Sequence, residues 1–236
     1  IRFAFLTGVS KFSKTGVFSA LNNLNDISMD AKYSKLAGIT QRELEEYFDE
    51  YIEELATKQG LGKQQLLDKI KYWYNGFCFN GAEPTPEDRL YNPYSTLLLF
   101  EKLYFRNWWF QTGTPKFLMD LLWKNQYSVE NLENRKVSAE LFGTYEPDEL
   151  NIEALLYQTG YLTIDSVSKT PFGTIEYSLR FPNKEVRLSF HDYLIDYFFS
   201  AQNRLESKKT IFQALSEGDM INLEKGIHAL FSSIPY

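Results

Sequence analysis

Residues 2–8 read RFAFLTG, a mostly apolar run that ends at a polar Thr-Gly turn. An extended segment that is apolar on both faces is typical of an interior strand in a parallel sheet covered by helices. The rest of the sequence offers little that would pair with such a strand. We therefore expect the chain to be a piece of a larger protein, cut inside an α/β domain of the nucleotide-binding type.

The composition is that of a globular protein. The chain has 236 residues, of which 44% are hydrophobic and 17% aromatic, and its formal net charge is -6. That charge argues against electrostatic binding of nucleic acid by the whole surface, although it leaves room for a local basic patch. The single cysteine, Cys78, fits a reducing compartment. No stretch approaches the ~20 apolar residues of a membrane span, so we expect a cytoplasmic protein without membrane contact.

Helix signals dominate the region from residue 31 to residue 140. Thr40 followed by Glu43 is a capping-box pattern, and apolar residues then recur at helical spacing until Gly60. A second helix is expected to end in a turn at Asn75-Gly76. Further helices are expected to begin at Asn92-Pro93 and again after residue 113, where proline takes the first helical position. We therefore expect this region to be mainly helical.

A different pattern begins near residue 147. The sequence predicts a short helix ended by Gly160, a strand, a hairpin tip at residues 170–173, a second strand, and a long helix capped by Asn183. Helix, strand, wing and strand is the layout of a winged-helix domain, which we assign to residues 141–200. Two further short helices are expected over residues 201–236.

The winged-helix pattern invites a DNA-binding interpretation that the charges do not favour. The helix that would enter a major groove follows Asp148 and Glu149 and contains Glu153, but it has no Lys or Arg. Major-groove recognition usually relies on basic or amide side chains together with phosphate contacts. Weak backbone contacts could come from three basic residues, Arg180, Lys184 and Arg187. We expect the wing to pack against a neighbouring domain instead.

Residues 8–15 read GVSKFSKT, which is close to a nucleotide-binding motif. They match the phosphate-binding loop G-x-x-x-x-G-K-[ST] except at Ser13, where a glycine is required. The Cβ atom of a serine resists the backbone conformation that such a loop needs. We interpret this segment as a strand-to-helix turn with solvated lysines.

Other candidate groups have simpler interpretations. The carboxylates between residues 43 and 54 lie along a helix face and are typical of a solvated surface. His191 and His228 have no second ligand at metal-binding spacing, so no metal site is predicted. Cys78 lies between two phenylalanines and is expected to be a small core residue.

Several stretches of the sequence, in order, resemble the AAA-ATPase-like family of bacteria. They are FLTGVSKFSK at 5–14, LNNLNDIS at 21–28, YWYNGF at 72–77, YNP at 91–93, WFQTGTP at 109–115 and LYQTGYL at 156–162. Members of that family typically carry an N-terminal ATPase core and a C-terminal nuclease-like domain of the PD-(D/E)XK type. The resemblance covers essentially the whole chain.

The resemblance implies a location for the nucleotide chemistry. The phosphate loop and the magnesium-binding Asp would both precede Ile1, so ATP and magnesium would be cofactors of the full-length protein. Thr7, at the tip of the next core strand, would take the sensor position, where it can hydrogen-bond the attacking water or the terminal phosphate. Gly113, Thr114 and Pro115 resemble a G-x-P element that packs near the adenine, although a simple helix cap explains them equally well.

The expected fold is mainly α with an α/β remnant. Residues 1–30 would be the last part of a P-loop NTPase core, 31–140 the helical lid, 141–200 the winged-helix domain, and 201–236 a helical linker toward the nuclease-like domain. The expected function is to couple the nucleotide state to that domain, and the fragment alone would be inactive. The alternative is a non-catalytic winged-helix module that binds protein or nucleic acid.

Overall fold

The computed structural model describes Phe5 and residues 25–109, 116–127, 129, 132–133, 135–142, 151–198 and 201–232. Within these residues the protein is mainly helical and carries two small antiparallel sheets. Most of the expected NTPase-core remnant, residues 1–30, lies outside the described residues. The side chain of Phe5 is 58% exposed, so the burial on both faces that we expected of the opening strand is not found at this position.

The described part of the chain contains nine α-helices and five strands. The helices are α1 (Gln41–Tyr47), α2 (Asp49–Gln59), α3 (Lys63–Tyr74), α4 (Pro93–Lys102), α5 (Lys116–Lys124), α6 (Ile152–Gln158), α7 (Lys184–Phe198), α8 (Ala201–Glu217) and α9 (Met220–Ser232). The strands are β1 (Asn75–Phe77), β2 (Leu90–Tyr91), β3 (Arg135–Ser138), β4 (Thr163–Lys169) and β5 (Ile175–Arg180). Strands β1 and β2 form one sheet, and the other has the order β3-β5-β4.

Helices α1 to α4 surround one hydrophobic core, which we call the helical cluster. Its buried members include Leu44, Ile52, Ile70, Tyr74, Leu99 and Trp108. The predicted capping box is confirmed at the start of α1. The hydroxyl of Thr40 accepts from the Glu43 N–H at 3.2 Å, and the Glu43 carboxylate accepts from the Thr40 N–H at 2.9 Å. The acidic residues on the outer face of α1 and α2 are mostly exposed, as the charge pattern predicted.

The single helix predicted between Thr40 and Gly60 is wrong, because the structure divides it at Phe48. This residue has φ -116° and ψ 16°, which are not helical values. Its ring stacks on Phe100 of α4 with 5.2 Å between the ring centroids. Packing across the cluster therefore overrides the local helical spacing. Gly60 ends α2 as predicted, with φ 64° in the left-handed region.

The turn predicted at Asn75-Gly76 is also wrong, because these residues form strand β1 and pair with β2. The Asn75 side chain donates to the Arg89 carbonyl at 3.0 Å. Gly76 has φ 134°, and a Cβ atom added there would lie 1.9 Å from the Pro182 carbonyl oxygen. Glycine is therefore needed at residue 76, where the segment before α7 approaches β1 too closely for a side chain.

The three-stranded sheet and helices α5, α6 and α7 surround a second core, which we call the sheet cluster. Its buried members include Leu118, Val137, Leu155, Tyr161, Leu179 and Phe190. The predicted hairpin is confirmed, since the Thr170 N–H donates to the Thr174 carbonyl at 2.8 Å across its tip. The cap of α7 is confirmed as well, because Asn183 Oδ1 accepts from the Val186 N–H at 3.0 Å.

Helices α8 and α9 form an antiparallel hairpin, in agreement with the two helices expected there. The turn between them contains Gly218, whose φ of 70° is in the left-handed region. The helices approach closely at Gly226, where an added Cβ would lie 2.8 Å from a side-chain carbon of Ile211. Within the described ranges, no helix is both long enough and apolar enough to cross a bilayer.

Replacing Gly76 with alanine tests the close approach between β1 and the segment before α7. We expect Gly76→Ala to destabilise the fold by about 3 kcal/mol or more, because an unfavourable φ is combined with a backbone clash. Gly173→Ala is the matched control, since Gly173 has φ 82° but open space around the Cβ position. It should cost only about 1 kcal/mol. Equal losses for the two variants in urea-induced unfolding would contradict this account.

Candidate functional site

A cavity of about 330 Å³ lies where the two clusters meet. Its walls come from residues 37–38, 77, 79, 90–93, 109, 157–160 and 162–163. Four of the stretches that carry the family resemblance therefore reach one place, through Phe77, through residues 91–93, through Trp109 and through residues 157–160. These stretches are far apart in sequence, so their meeting is a property of the fold.

Glycines leave the space that the cavity occupies. Gly160 has φ 81°, and a Cβ atom at this position would lie 3.6 Å from the rings of Phe77 and Trp109. Gly38 lies against Leu90, whose Cβ would be 2.6 Å from an added Cβ. Gly160 thus takes a left-handed backbone conformation against two aromatic rings, whereas Gly38 lies against an aliphatic side chain.

The chemistry of the cavity walls is aromatic and uncharged. Among the described residues that line it, none is Asp, Glu, Lys, Arg or His. Several polar side chains in the walls already serve the fold. Asn92 accepts from the Ser95 N–H at 3.2 Å, and the Thr163 hydroxyl accepts from the Cys78 N–H at 2.7 Å. The described walls are therefore suited to a flat, neutral group, and they contain no carboxylate or imidazole for acid–base catalysis.

Tyr157 is the most unusual polar residue of the wall. Its hydroxyl oxygen is buried and has no hydrogen-bond partner among the described residues. Burial raises the pKa of Tyr157 above its ordinary value. Its ring makes an edge contact with Phe142, with 4.7 Å between the centroids. A neutral, unpartnered hydroxyl of this kind is costly unless something else satisfies it.

A buried carboxylate, that of Glu185, joins the two clusters beside the cavity. Glu185 lies in the first turn of α7 and is fully buried. Its Oε1 accepts from the backbone N–H of Trp108 at 2.7 Å and from that of Trp109 at 2.9 Å. Burial raises the pKa of Glu185 to about 7, although the two tryptophan N–H donors favour the charged form.

The second oxygen of this carboxylate, Glu185 Oε2, makes no hydrogen bond within the described residues. The hydroxyl of Ser95 lowers the pKa of Glu185 by its proximity, but its geometry is not that of a hydrogen bond. In the same region Ser189 Oγ donates to Asn107 Oδ1 at 2.7 Å. The loop that leads into Trp109 is therefore attached to α7 by polar side chains rather than by apolar packing alone.

A second polar connection between the clusters is made by Arg89. Its guanidinium donates to the carbonyls of Ile164 and Asp165 in β4, the latter at 2.6 Å. Arg180 of β5 lies 3.0 Å from the Asp165 carboxylate. Burial, and then the charge of Arg89, lower the pKa of Arg180. The fork of an arginine suits this double contact with consecutive carbonyls.

The residues that we predicted for nucleotide chemistry lie outside the described residues. They are Thr7, assigned as a sensor, and Gly113, Thr114 and Pro115, assigned to the adenine side. The loop-like segment at residues 8–15 is also outside. These assignments remain predictions.

The other predicted candidates are located by the structure. Cys78 is fully buried, and burial raises the pKa of its thiol, as expected of a core residue. His191 and His228 lie on different helices. Over the described residues, no group of three or more His, Cys, Asp or Glu side chains is arranged to hold a metal ion.

The helix that would enter a major groove under the DNA-binding interpretation, α6, is largely buried, which agrees with the preference drawn from its charges. Residues 152–156 all have exposures of 7% or less, so this face of the helix is not available to a groove. The basic residues near the sheet are also occupied. Arg187 is ion-paired with Glu133, and Arg135 with Glu153, in each case at 2.5 Å. The described residues therefore give no support to duplex recognition by this helix.

Sequence reasoning missed the residues that join the clusters. Glu185 occupies the first turn of a helix, where acidic residues are common, so no local signal marks it as a buried contact. Arg89 follows a proline-rich loop and reads as a surface residue. The run of small and amide residues at 158–160 was the one local signal of the cavity wall. The sequence marked it only as part of a stretch that resembles a known family.

Comparison with known proteins identifies one longer relative. The chain is 38% identical over 237 residues to a protein from Azotobacter chroococcum mcd 1 named "Uncharacterized protein in vnfD 5'region". The similarity covers 100% of the chain but 43% of that protein, so the chain spans less than half the length of this relative. No protein-family model matches the chain, and no solved structure matches it.

Titration of the Glu185 carboxylate should make stability depend on pH. Because the pKa of Glu185 is raised in the folded state, the carboxyl group stabilises the fold fully below about pH 4.5, the ordinary pKa of a glutamate. This stabilisation is lost as the pH rises through about 7. The full change corresponds to roughly 3 kcal/mol. We expect Glu185→Gln to keep both tryptophan N–H contacts and to remove this dependence, so the stability of the wild type relative to the variant should fall over that range.

The comparison with a truncated side chain completes this test. Glu185→Ala leaves the two buried tryptophan N–H groups without an acceptor, which should make this variant about 2–4 kcal/mol less stable than Glu185→Gln at any pH in the same range. Denaturant unfolding at several pH values measures both effects. A pH-independent difference between the wild type and Glu185→Gln would show that the carboxylate does not titrate in the folded protein.

Proposed function

We propose that the chain is the lid and winged-helix part of an ATP-binding, AAA-like ATPase. In this proposal the cavity between the clusters receives the adenine end of the nucleotide. The observation that carries it is the meeting of four separate resemblance stretches at one aromatic, uncharged cavity. Enzymes and nucleotide-binding proteins commonly place their ligands in such clefts between structural units.

The finer fold assignment is part of the same proposal. The sheet order β3-β5-β4, with α5 before β3 and α6 before β4, supports a winged helix whose wing is the β4–β5 hairpin. Because β3 precedes residue 141, the proposed unit begins at α5 and is longer than the boundary drawn from sequence. Phe172 at the hairpin tip is 92% exposed, which leaves the wing free to contact another part of a longer protein.

The chemistry of the cavity fits an adenine ring better than a phosphate group. Phe77, Phe79 and Trp109 supply flat apolar contacts, and Gln158 and Thr159 supply polar atoms. No cation lies in the described part of the wall, so the triphosphate and its magnesium would be held by groups outside the described residues. Thr7 remains the proposed sensor, which would hydrogen-bond the water that attacks the terminal phosphorus while ADP leaves.

Coupling to other domains would follow from the position of the cavity. A ligand that contacts both clusters stabilises the arrangement in which they are closed, provided that it binds this arrangement more tightly than an open one. Glu185 and Arg89 connect the same two clusters beside the ligand. Helices α8 and α9 would transmit the change toward the nuclease-like domain that the resemblance implies.

A cavity-filling substitution tests the proposed adenine site. Ala37 is exposed at the cavity wall, and Ala37→Trp should weaken ATP binding by about tenfold or more because the new ring occupies the cavity. The control is Ala31→Trp, since Ala31 is also exposed but does not line the cavity. Calorimetric titration with Mg-ATP should use the intact gene product, including any region encoded upstream of Ile1.

Two outcomes would count against the proposed function. Absence of ATP binding by the intact gene product would remove the ATPase assignment. Equal weakening by Ala37→Trp and Ala31→Trp would remove the cavity as the adenine site.

Lys14→Ala should leave ATP affinity unchanged, because we assign the loop-like segment at residues 8–15 to a simple turn. A large loss of ATP affinity in this variant would reverse that assignment.

A further inference from the structure

A row of aromatic rings and cations crosses the surface where α3, the 104–108 segment and α7 meet. The Lys184 Nζ lies 4.4 Å from the ring centroid of Trp73 and 5.2 Å from that of Tyr72. Trp73 contacts Phe105 with 5.9 Å between centroids. The Lys69 Nζ in turn lies 4.4 Å from the Phe105 centroid. We call this continuous set of residues the cationic–aromatic surface.

Arg106 extends this surface on the side of the helical cluster. Its guanidinium carbon lies 5.7 Å from the ring centroid of Trp108. Arg106 is exposed, and its backbone N–H donates to the Tyr74 hydroxyl at 3.1 Å. Three positive charges are therefore fixed around a group of rings by cation–π contacts rather than held on freely moving side chains.

These cations have no carboxylate partner. Within the described ranges, neither Lys69, Arg106 nor Lys184 lies within 4.0 Å of an acidic side chain. Many other basic residues of the chain are ion-paired, among them Arg135, Arg187 and Lys208. The chain has a net charge of -6, so the collection of three positive charges at one surface runs against its overall charge balance.

Two rings of this region are exposed, whereas that of Trp108 is buried. The side chain of Tyr72 is 65% exposed, and that of Tyr104 is 43% exposed. The acidic residue that follows Lys184, Glu185, is fully buried and faces the tryptophan backbone instead. The surface therefore presents positive charge and aromatic faces together, without a neutralising carboxylate.

We propose that the cationic–aromatic surface binds single-stranded nucleic acid. Phosphate groups would contact Lys69, Arg106 and Lys184, and unpaired bases would stack on Tyr72 and its neighbours. Proteins bind single strands without sequence preference by combining two features. Cationic side chains contact the phosphate backbone of the nucleic acid, and aromatic rings stack on its bases. A duplex offers no unstacked base to these rings, and a lipid headgroup or an acidic peptide would make no use of an ordered set of aromatic faces.

This surface is distinct from the proposed adenine cavity. It uses the outer faces of α3 and α7, whereas the cavity is lined by residues of β1, β2 and α6. Single-strand binding should therefore occur without ATP. Absence of single-strand binding would not count against the proposed ATPase function. Absence of ATP binding would likewise not count against single-strand binding by this surface.

A charge-reversal pair tests the phosphate contacts. Fluorescence anisotropy of a labelled oligothymidylate of about 15 nucleotides, without nucleotide and at low salt, measures binding to the 236-residue chain. We expect Lys69→Glu/Lys184→Glu to weaken binding by about tenfold or more. The matched control is Lys209→Glu/Lys225→Glu, which changes the net charge equally but lies on the exposed α8–α9 hairpin, and it should bind nearly as the wild type does.

A tyrosine pair tests the stacking contribution. Tyr72→Ala should weaken binding at least about fivefold, because loss of one stacked base costs this much or more. Tyr47→Ala is the control, since Tyr47 is 66% exposed and lies on α1, away from the surface. The affinity of the wild type should also fall with salt with a logarithmic slope of about -2, as expected for three phosphate contacts.

Several outcomes would overturn the proposal. One is that the chain does not bind the oligothymidylate at low salt. Others are that the charge-reversal pair and its control lose equal affinity, or that Tyr72→Ala does not change the affinity. Tighter binding of a duplex of the same length would replace single-strand recognition with a simple electrostatic contact. Displacement of the oligonucleotide by polyglutamate or by anionic phospholipid vesicles at equal charge concentration would assign the surface to a different acidic partner.

Discussion

The buried carboxylate of Glu185 joins the two clusters of this protein. The Glu185 Oε1 atom accepts the N–H groups of Trp108 and Trp109 across 77 and 76 residues of chain. A buried carboxylate is tolerated only when donors face it, and a buried N–H is tolerated only when an acceptor faces it. The start of α7 and the loop that contains Trp108 and Trp109 are therefore held in fixed relative positions. The cavity lies beside this contact.

The proposed function follows from what that arrangement brings together. Segments that are scattered along the sequence meet at an uncharged aromatic cavity, while positive charge and exposed rings collect on a separate outer surface. A neutral ring pocket and a charged strand-binding surface require different chemistry, and the fold builds them from different elements, the pocket mainly from β1, β2 and α6 and the surface from α3 and α7. Nucleotide and nucleic acid would thus act on the same pair of clusters from different sides.

Local signals in the sequence predicted helix ends well and predicted packing poorly. The caps at Thr40 and Asn183 depend on neighbouring residues, so they could be predicted from a few letters. The break at Phe48 depends on a distant partner, Phe100, and the strand at Asn75 depends on pairing with Tyr91, and no local pattern reveals either contact. For the cavity, sequence resemblance named the segments in its walls, but Glu185 and Arg89 had no signal because ordinary surface helices and loops carry the same residue types.

The contact between Gly76 and Pro182 has a further consequence for how the protein comes apart. The backbones of Gly76 and Pro182 are in direct contact, with no side chain between them. At this point each cluster is therefore covered by the other rather than by its own side chains. Separating them would expose backbone groups and apolar rings on both sides at once. We therefore expect one cooperative calorimetric transition for both clusters, while the α8–α9 hairpin, with many exposed apolar side chains, opens at lower free energy.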